Sequence, residues 1–290
     1  MPAIVVSEAT QALVCDVFQQ PDLFRDLPRI DRRVVAWGHE AEPLELPHSA
    51  VVISEEELTA RLQPQLPEAA QDAEWTIFAS RPLPESAVEH HFGSRKAYAL
   101  AVDCKNGGCW VESLDSGWLF LIPGWLIAVG GAPEALLAQS RLVARQIRGA
   151  SEESAAFPAY PRIADPLCAP GWLACGSAAM AFDPICGDGT GNAVREAILA
   201  AAVIRAAARG EALDPLLAHY RARLIAGFRR HLELSLQFYR AGNHGQWWDA
   251  EILALERGMA WCADRLGPDP AFRYRLNGFE LEDMCNRSGM

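Results

Sequence analysis

The sequence WLACGSAAMAFDPICGDGTGNAVREAILAAAVIRAAA, residues 172–208, carries three patterns in immediate succession. Trp172–Cys175 is a short apolar run that predicts a strand, and Ser177–Gly191 is rich in glycine and other small residues. Ala193–Ala208 is dominated by alanine, which has the highest helix propensity of the amino acids. The stretch therefore predicts a strand, a glycine-rich turn and a helix.

The glycine-rich turn is the part of this stretch that can carry a function. Glycines leave backbone N–H groups open to close approach, and the start of a helix favours a negatively charged or carbonyl-rich ligand. A tight packing turn between a strand and a helix has the same composition. The pattern alone leaves both interpretations open.

Composition narrows the function classes. The chain has 290 residues and is 50% hydrophobic, which is typical of a globular protein with a sizeable core. Its 26 basic and 37 acidic residues give a net charge of −11, so its long-range field repels nucleic acids and acidic lipid surfaces. We therefore expect no nucleic-acid partner and no membrane partner.

Membrane insertion and secretion are not expected either. The longest run without a charged residue, 116–133, is broken by glycines and prolines and is typical of short buried strands. The N-terminal residues lack the basic segment of a secretory signal. We expect a cytoplasmic protein whose eight cysteines are mostly reduced thiols.

Hydrophobic periodicity predicts the elements of the first half of the chain. They are, in order, a helix over 7–19, strands at 32–38 and 50–53, and a helix from Ser54 to about Leu66. From Trp75 to Val129 the short β-type runs predict an antiparallel sheet. Pro123-Gly124 is expected to join the last two strands with some splay or a bulge.

The second half of the chain is predicted to be mainly helical. Helices are expected over 132–147, 193–208, 214–239 and 246–265, and a crossing loop is expected over 150–170. Asp214 and Pro215 are predicted to be the N-cap and the first residue of the long third helix of this set.

CGSAAMAFDPICGDGTGNAVREAI, residues 175–198, resembles the FAD-dependent monooxygenases of the p-hydroxybenzoate hydroxylase fold, with the related tryptophan halogenases and geranylgeranyl reductases. In that family a strand ends in Gly-Asp-Ala-Ala and is followed by Asp-Pro, a Gly-x-Gly turn and a helix that runs under the flavin. Phe92–Ala97 and Gly117–Pro123 (GWLFLIP) are similar to family segments of the substrate domain. RRVVAWG and GWLFLIP are most similar to the branch that modifies tryptophan, either by halogenation or by hydroxylation.

The resemblance implies an α/β fold. We expect an incomplete Rossmann-like FAD-binding domain over 1–67 and 131–210, an inserted antiparallel β-sheet substrate domain over 68–130, and a C-terminal helical region over 211–290. No glycine-rich turn occurs before residue 93, so we expect the family's opening GxGxxG segment to be absent. A sheet without that opening strand would expose an edge, which favours a homo-oligomer or a partner that covers it.

The resemblance also implies which residues contact FAD. They are Gly176, Ser177, Pro184, Gly187, Asp188, Gly189, Thr190, Gly191 and Asn192. Ser177 stands where the family has the aspartate that contacts the ribityl chain, and a serine can still donate or accept a hydrogen bond there. The backbone N–H groups of the later residues would stabilise charge on the pyrimidine edge of the flavin.

Three residues are candidates for catalysis. His91 beside Arg95 could form an acid–base or carboxylate-binding site, since imidazole titrates near neutrality and guanidinium binds carboxylates. Trp118 is expected near the substrate cavity by the resemblance. A solvated loop for the histidines and core packing for the tryptophan are the alternatives. No metal site is expected, and no HExxH or Walker A motif occurs.

The function that the resemblance implies is flavin-dependent oxidation, and hydroxylation of an aromatic substrate is the simplest form of it. The substrate would be a small molecule or a peptide-borne residue, with tryptophan-type rings among the candidates. NAD(P)H or a separate reductase would donate the electrons. Halogenation and reduction of isoprenoid double bonds are alternatives within the enzyme class. A further alternative is a truncated flavoprotein that no longer binds FAD and serves as a binding or scaffold protein.

Overall fold

The computed structural model describes residues 3–62, 73–105 and 107–284. The helices are α1 (Glu8–Phe18), α2 (Glu55–Leu62), α3 (Pro133–Gln139), α4 (Gly176–Ala179), α5 (Gly189–Ala208), α6 (Leu213–Arg240) and α7 (Gln246–Leu266). The first ten strands are β1 (Ile4–Ser7), β2 (Arg29–Ala36), β3 (Leu44–Ile53), β4 (Thr76–Phe78), β5 (Val88–His91), β6 (Lys96–Cys104), β7 (Cys109–Leu114), β8 (Gly117–Ile122), β9 (Trp125–Gly130) and β10 (Ile147–Pro158). The remaining strands are β11 (Arg162–Asp165), β12 (Cys168–Ala169), β13 (Trp172–Ala174), β14 (Met180–Ala181), β15 (Tyr274–Asn277) and β16 (Glu280–Asp283).

An eight-stranded sheet with the order β1-β3-β2-β7-β8-β9-β6-β10 forms the centre of the fold. Its neighbouring strands pair antiparallel, except that β2 and β7 run parallel, with Val34 opposite Trp110. Three smaller sheets, β14-β11-β5, β12-β13-β4 and β15-β16, complete the β structure. The α/β class expected from the sequence is confirmed.

The central sheet is covered on both faces. Trp118 and Val129 pack on one face into a core shared with α5, α6 and α7. Leu119 and Leu121, which alternate with Trp118 along β8, pack on the other face against Leu136 of α3. A strand that is covered on both sides is apolar throughout, which explains the continuous run GWLFLI.

The sheet crosses the domain boundaries expected from the sequence. Strands β1–β3, from the range 1–67, and β10, from the range 131–210, pair with strands of the range 68–130. The expected substrate domain is therefore only the middle of a larger sheet, and the three-way division of the chain stays a prediction.

Several helices occur where periodicity predicts them. Ser7 caps α1 by accepting a hydrogen bond from the Thr10 N–H at 3.3 Å. The α2 prediction holds to Leu62, and its last residues lie outside the described ranges. Helix α6 begins at Leu213 after Ala212, so the prediction of Asp214 as its N-cap was wrong by two residues.

Three predictions about strands were wrong. The helix predicted over 7–19 is not the first described element, because β1 precedes α1 and pairs with β3. Residues 150–170 are not a crossing loop, because β10 pairs along β6 at the edge of the sheet, where exposed side chains need no apolar alternation. Strand β4 leaves the antiparallel region and pairs parallel with β13, a long-range pairing that β-propensity does not encode.

The β8–β9 hairpin is regular. Its register runs from Gly117 opposite Gly130 to Ile122 opposite Trp125 without a shift, so the expected bulge was wrong. Gly124 has a φ of 82°, which is open to glycine and allows the two-residue turn to close.

Helix α3 is much shorter than the predicted 132–147. It ends at Gln139 because the buried carboxylate of Glu112, on β7, accepts hydrogen bonds from the N–H groups of Arg141, Leu142 and Val143 at 2.8–3.2 Å. The Ser140 hydroxyl also donates to Glu112 at 2.5 Å. A distant side chain thus takes the amide groups that a continuing helix would use.

No helix in the described ranges combines the length and the apolar character needed to cross a bilayer. The seven cysteines of those ranges are free thiols.

Replacing Glu112 with alanine is expected to destabilise the loop after α3. The three amides would lose their buried acceptor, at a cost of about 1–3 kcal/mol for each group left unpaired and dry. Chemical denaturation should show a total loss of at least about 3 kcal/mol, and hydrogen exchange should be accelerated at residues 141–143. Glu134→Ala, at an exposed position of α3, is the control; equal stability of the two variants would contradict the anchoring role.

Candidate functional site

The predicted glycine-rich turn lies between β13 and α5 and contains a single turn of 3₁₀ helix, Pro184–Cys186. Asp183 caps this turn, because its Oδ1 accepts a hydrogen bond from the Ile185 N–H at 3.0 Å. Gly187 follows with a φ of 67°, the left-handed conformation that ends the turn. The sequence Asp-Pro-x-x-Gly therefore sets the local path of the backbone.

The N-terminus of α5 has open backbone donors. No side chain caps the helix, and no acceptor among the described residues takes the N–H groups of Gly189, Thr190 and Gly191. An added Cβ would meet nothing within 4 Å at Gly187 or Gly189. These donors lie at the positive end of a 20-residue helix, so they fit a carbonyl-rich or anionic group such as the pyrimidine edge of a flavin.

Part of the same N-terminus is filled by the protein itself. A Cβ on Gly191 would lie 2.3 Å from Oδ1 of Asp188 and 2.7 Å from Oγ1 of Thr10. Asp188 is held there by the Thr10 hydroxyl at 2.7 Å and by Nη1 of Arg195 at 2.8 Å. The open surface is therefore limited to the side of Gly187 and Gly189.

Gly176 and Ser177 form the first turn after β13. The Ser177 hydroxyl is exposed and donates to the carbonyl oxygen of Ala79 at 3.2 Å. The Gly176 N–H donates to Oε2 of Glu196, on α5, at 2.7 Å. A carboxylate does reach this turn, but it comes from the following helix and not from position 177.

The pKa of Glu196 differs strongly from that of an exposed glutamate. Burial raises its pKa to about 7, and the hydrogen bond from Gly176 opposes this only in part. Glu196 gives no signal of burial in the sequence, because it is a lone acidic residue in an alanine-rich helix.

A buried ion cluster anchors the glycine-rich turn through Asp183. We call Arg95, Asp183 and Glu251 the charged triad. Nε of Arg95 lies 2.8 Å from Oδ2 of Asp183, and Nη1 of Arg95 forms an ion pair with Glu251. All three side chains are 4% exposed or less, so the pairing is desolvated.

Aromatic side chains pack against the charged triad. The Arg95 guanidinium lies 4.7 Å from the ring centroid of Tyr239, on α6, a cation–π distance. The Tyr239 hydroxyl accepts from Nε1 of Trp118 at 3.3 Å. Burial raises the pKa of Tyr239 well above its ordinary value, so the phenol stays protonated.

His231 supports Asp183 from α6. Its Nε2 accepts the Asp183 N–H at 3.0 Å, which requires the neutral imidazole. Burial and, to a lesser extent, the charge of Arg95 lower the pKa of His231 to about 3. The histidine is thus a fixed hydrogen-bond acceptor.

The three candidates for catalysis do not form one site. His91 is exposed on β5, where it contacts Glu89 and the ring of Tyr160. Arg95 is buried between the carboxylates of Asp183 and Glu251, which already occupy its guanidinium, and a role for it in substrate binding stays a prediction. Trp118 is 1% exposed and lies in the core, where Tyr239 contacts both it and Arg95.

The residues that organise the turn carried different signals in the sequence. Asp183 could be found, because an aspartate before a proline is a frequent cap. Tyr239 and Glu251 lie far along the chain on helices and gave no signal. Two clefts, of about 740 and 450 Å³, lie elsewhere and are not lined by residues of the range 184–192.

Comparison with known proteins identifies the fold. No protein-family model matches the sequence, and no curated protein matches it. The peptidyl tryptophan dihydroxylase QhpG matches with a TM-score of 0.67 at 19% identity, covering 98% of this chain and 78% of its own. The myxobacterial halogenase CndH matches with a TM-score of 0.66 at 16% identity, covering 95% and 84%. The p-nitrophenol 4-monooxygenase PnpA of Pseudomonas putida DLL-E4 matches with 0.60 at 15% identity, covering 93% and 85%.

These matches show that the chain has the fold of flavin-dependent monooxygenases and halogenases. The resemblance seen in the sequence is confirmed at the level of the fold.

Glu196→Gln is expected to change how stability depends on pH. The folded-state pKa of Glu196, about 7, lies above its ordinary value of 4.5, so its contribution is complete below pH 4.5 and is lost as the pH rises to 7. Across this window the native protein should lose about 3 kcal/mol relative to the glutamine variant. Denaturation at a series of pH values measures the difference; parallel curves would contradict the assignment, and Glu56→Gln is the exposed control.

Arg95→Met is expected to lower the free energy of unfolding by about 3–5 kcal/mol, because it leaves two buried carboxylates without their cation. Combining it with Asp183→Asn and Glu251→Gln should recover part of the loss, since the unpaired charges are then removed. A cost below about 1 kcal/mol for Arg95→Met alone would show that the pairing does not stabilise the turn.

Proposed function

We propose that this chain is a flavin-dependent oxidoreductase that binds FAD against residues 184–192 and hydroxylates an aromatic substrate. The observation that carries the proposal is the row of free N–H groups at Gly189, Thr190 and Gly191, beside the open backbone of Gly187. This row occurs in a fold whose matched structures are flavin-dependent enzymes.

The chain's own residues would bind and orient the ring. The free N–H groups would donate to ring carbonyls and stabilise negative charge that develops there. Asp183, held by the charged triad, keeps Pro184–Cys186 in one conformation. Bound FAD would supply the electron transfer and oxygen activation.

The other residues predicted to contact FAD differ in how well their surroundings suit that role. Gly176 and Ser177 lie at the end of β13, where Glu196 already takes the Gly176 N–H. Asp188 and Asn192 flank the start of α5, and Asp188 adds a negative charge that Arg195 offsets. We propose that Asp188 orients the turn from its side and does not itself bind the cofactor.

The substrate class is supported by two of the matched structures. QhpG acts on a peptidyl tryptophan, and PnpA is a p-nitrophenol monooxygenase, so two matched structures belong to enzymes of aromatic rings. We propose an electron-rich aromatic substrate, of tryptophan type, free or in a peptide. NAD(P)H or a separate reductase would reduce the flavin.

Two other functions have an observation in their favour. Halogenation is supported by the match to CndH, and product analysis in the presence of bromide distinguishes it from hydroxylation. A binding protein that has lost FAD is supported by Ser177, which lacks a carboxylate, and by the side chains that fill the Gly191 surface.

Flavin binding tests the proposal. The protein is expected to take up FAD, measured by equilibrium dialysis and by the visible absorbance of the bound flavin. Gly189→Leu should weaken binding at least about tenfold, because its side chain would cover the free N–H groups while finding open space in the protein. Gly149→Leu, also in open space but on β10, is the matched control.

Ser177→Asp is expected to strengthen FAD binding if position 177 contacts the ribityl chain. Failure of the native protein and of Ser177→Asp to take up any flavin would contradict the oxidoreductase assignment and would favour the binding protein. Equal binding by Gly189→Leu and the native protein would place the flavin elsewhere.

A further inference from the structure

A cleft of about 740 Å³ lies away from the glycine-rich turn. It opens where β2 and β7 end, and these strands are the one parallel pair of the described central sheet. Parallel strands that end together leave a crevice between the segments that follow them. Here those segments are 38–43, after β2, and Asp115, after β7.

The floor of this cleft is fixed by hydrogen bonds. The Gly38 N–H donates to the Ser113 hydroxyl at 2.8 Å, and Nδ2 of Asn243 donates to Asp115 at 3.2 Å. The Asp115 N–H donates to Oε1 of Gln139 at 3.2 Å. The cleft is therefore a preformed feature and its volume lies within the usual range of ligand sites, roughly 300–1,000 Å³.

Two pairs of opposite charge line this cleft. Glu40 and Glu42, which we call the acidic wall, lie in the segment after β2, and Arg141 and Arg145, which we call the basic wall, lie after α3. Glu112, buried below the arginines, fixes the main chain at Arg141 and so sets the position of this wall. Glu112 is buried and hydrogen-bonded to the main chain, whereas Glu40, Glu42, Arg141 and Arg145 are exposed. Asp115, on the floor, is also exposed and accepts a hydrogen bond from Asn243.

The walls do not pair with each other. Within the described ranges, no carboxylate oxygen lies within 4.0 Å of the guanidinium nitrogens of Arg141 or Arg145. Opposite charges that share a cleft without contact are separated by a gap, and a ligand that bridges the gap gains interactions with both walls.

We propose that this cleft binds a peptide segment that carries positive charge at one end and negative charge at the other. A cleft of about 740 Å³ has room for several residues, and a peptide of four residues separates its oppositely charged ends by up to about 14 Å. The proposal does not depend on flavin binding.

The tetrapeptide Lys-Ala-Ala-Glu with free termini is a matched probe. Its N-terminal ammonium and lysine give two positive charges at one end, and its glutamate and C-terminal carboxylate give two negative charges at the other. Glu-Ala-Ala-Lys has the same composition, but opposite charges cancel at each of its ends. Calorimetry without flavin is expected to show binding of the first peptide at least about tenfold tighter than of the second, with loss of binding at high salt.

Reversing the charges of the acidic and basic walls tests whether the peptide binds in this cleft. Arg141→Glu with Arg145→Glu makes both walls negative and should abolish binding of Lys-Ala-Ala-Glu; Glu40→Lys with Glu42→Lys should do the same by making both walls positive. All four changes together should restore it to within about threefold, because the peptide can bind in the reverse direction. Arg148→Gln with Arg275→Gln, at exposed positions outside the cleft, is the control and should leave binding unchanged.

The proposal is overturned if Lys-Ala-Ala-Glu does not bind, if Glu-Ala-Ala-Lys binds equally well, or if the quadruple exchange fails to restore binding in a folded protein. Circular dichroism and thermal unfolding establish that each variant is folded. Since no step uses FAD, failure of flavin uptake leaves these outcomes unaffected.

Discussion

The buried charge of Arg95 is the constraint on which the arrangement of this protein depends. A guanidinium removed from water is stable only with its counter-charges in contact, and here they come from Asp183 and Glu251. These residues belong to the segment before β6, to the glycine-rich turn and to α7. Satisfying one charge therefore brings three distant parts of the chain together.

This constraint explains why the start of α5 can remain open. Its first amides need no capping side chain to hold the turn, because Asp183 is fixed from behind by Arg95 and His231. The donors are thus separated from the groups that stabilise the turn. Binding can be lost or gained at this surface without dismantling the core, which is why the fold alone does not determine whether FAD binds.

A second buried carboxylate has a comparable effect on the other side of the sheet. Glu112 ends α3 by accepting hydrogen bonds from the amides of residues 141–143. It thereby places Arg141 beside the cleft that follows β2 and β7. Both sites follow one physical rule: a buried acid must find donors, and when the donors belong to the main chain, the acid fixes the local backbone.

The sequence by itself determined the local elements: α1, the strand–turn–helix around Gly187, α5, α7 and the β8–β9 hairpin, because spacing, capping and turn residues act within a few positions. It also determined the resemblance to flavin enzymes, which rests on contiguous motifs. Only the tertiary structure decided that β10 pairs at a sheet edge, that β4 leaves the antiparallel region, that Arg95 is a core residue and that Glu196 titrates near neutrality. Those properties depend on partners far away in the chain and on the removal of water, and neither exists until the chain has folded.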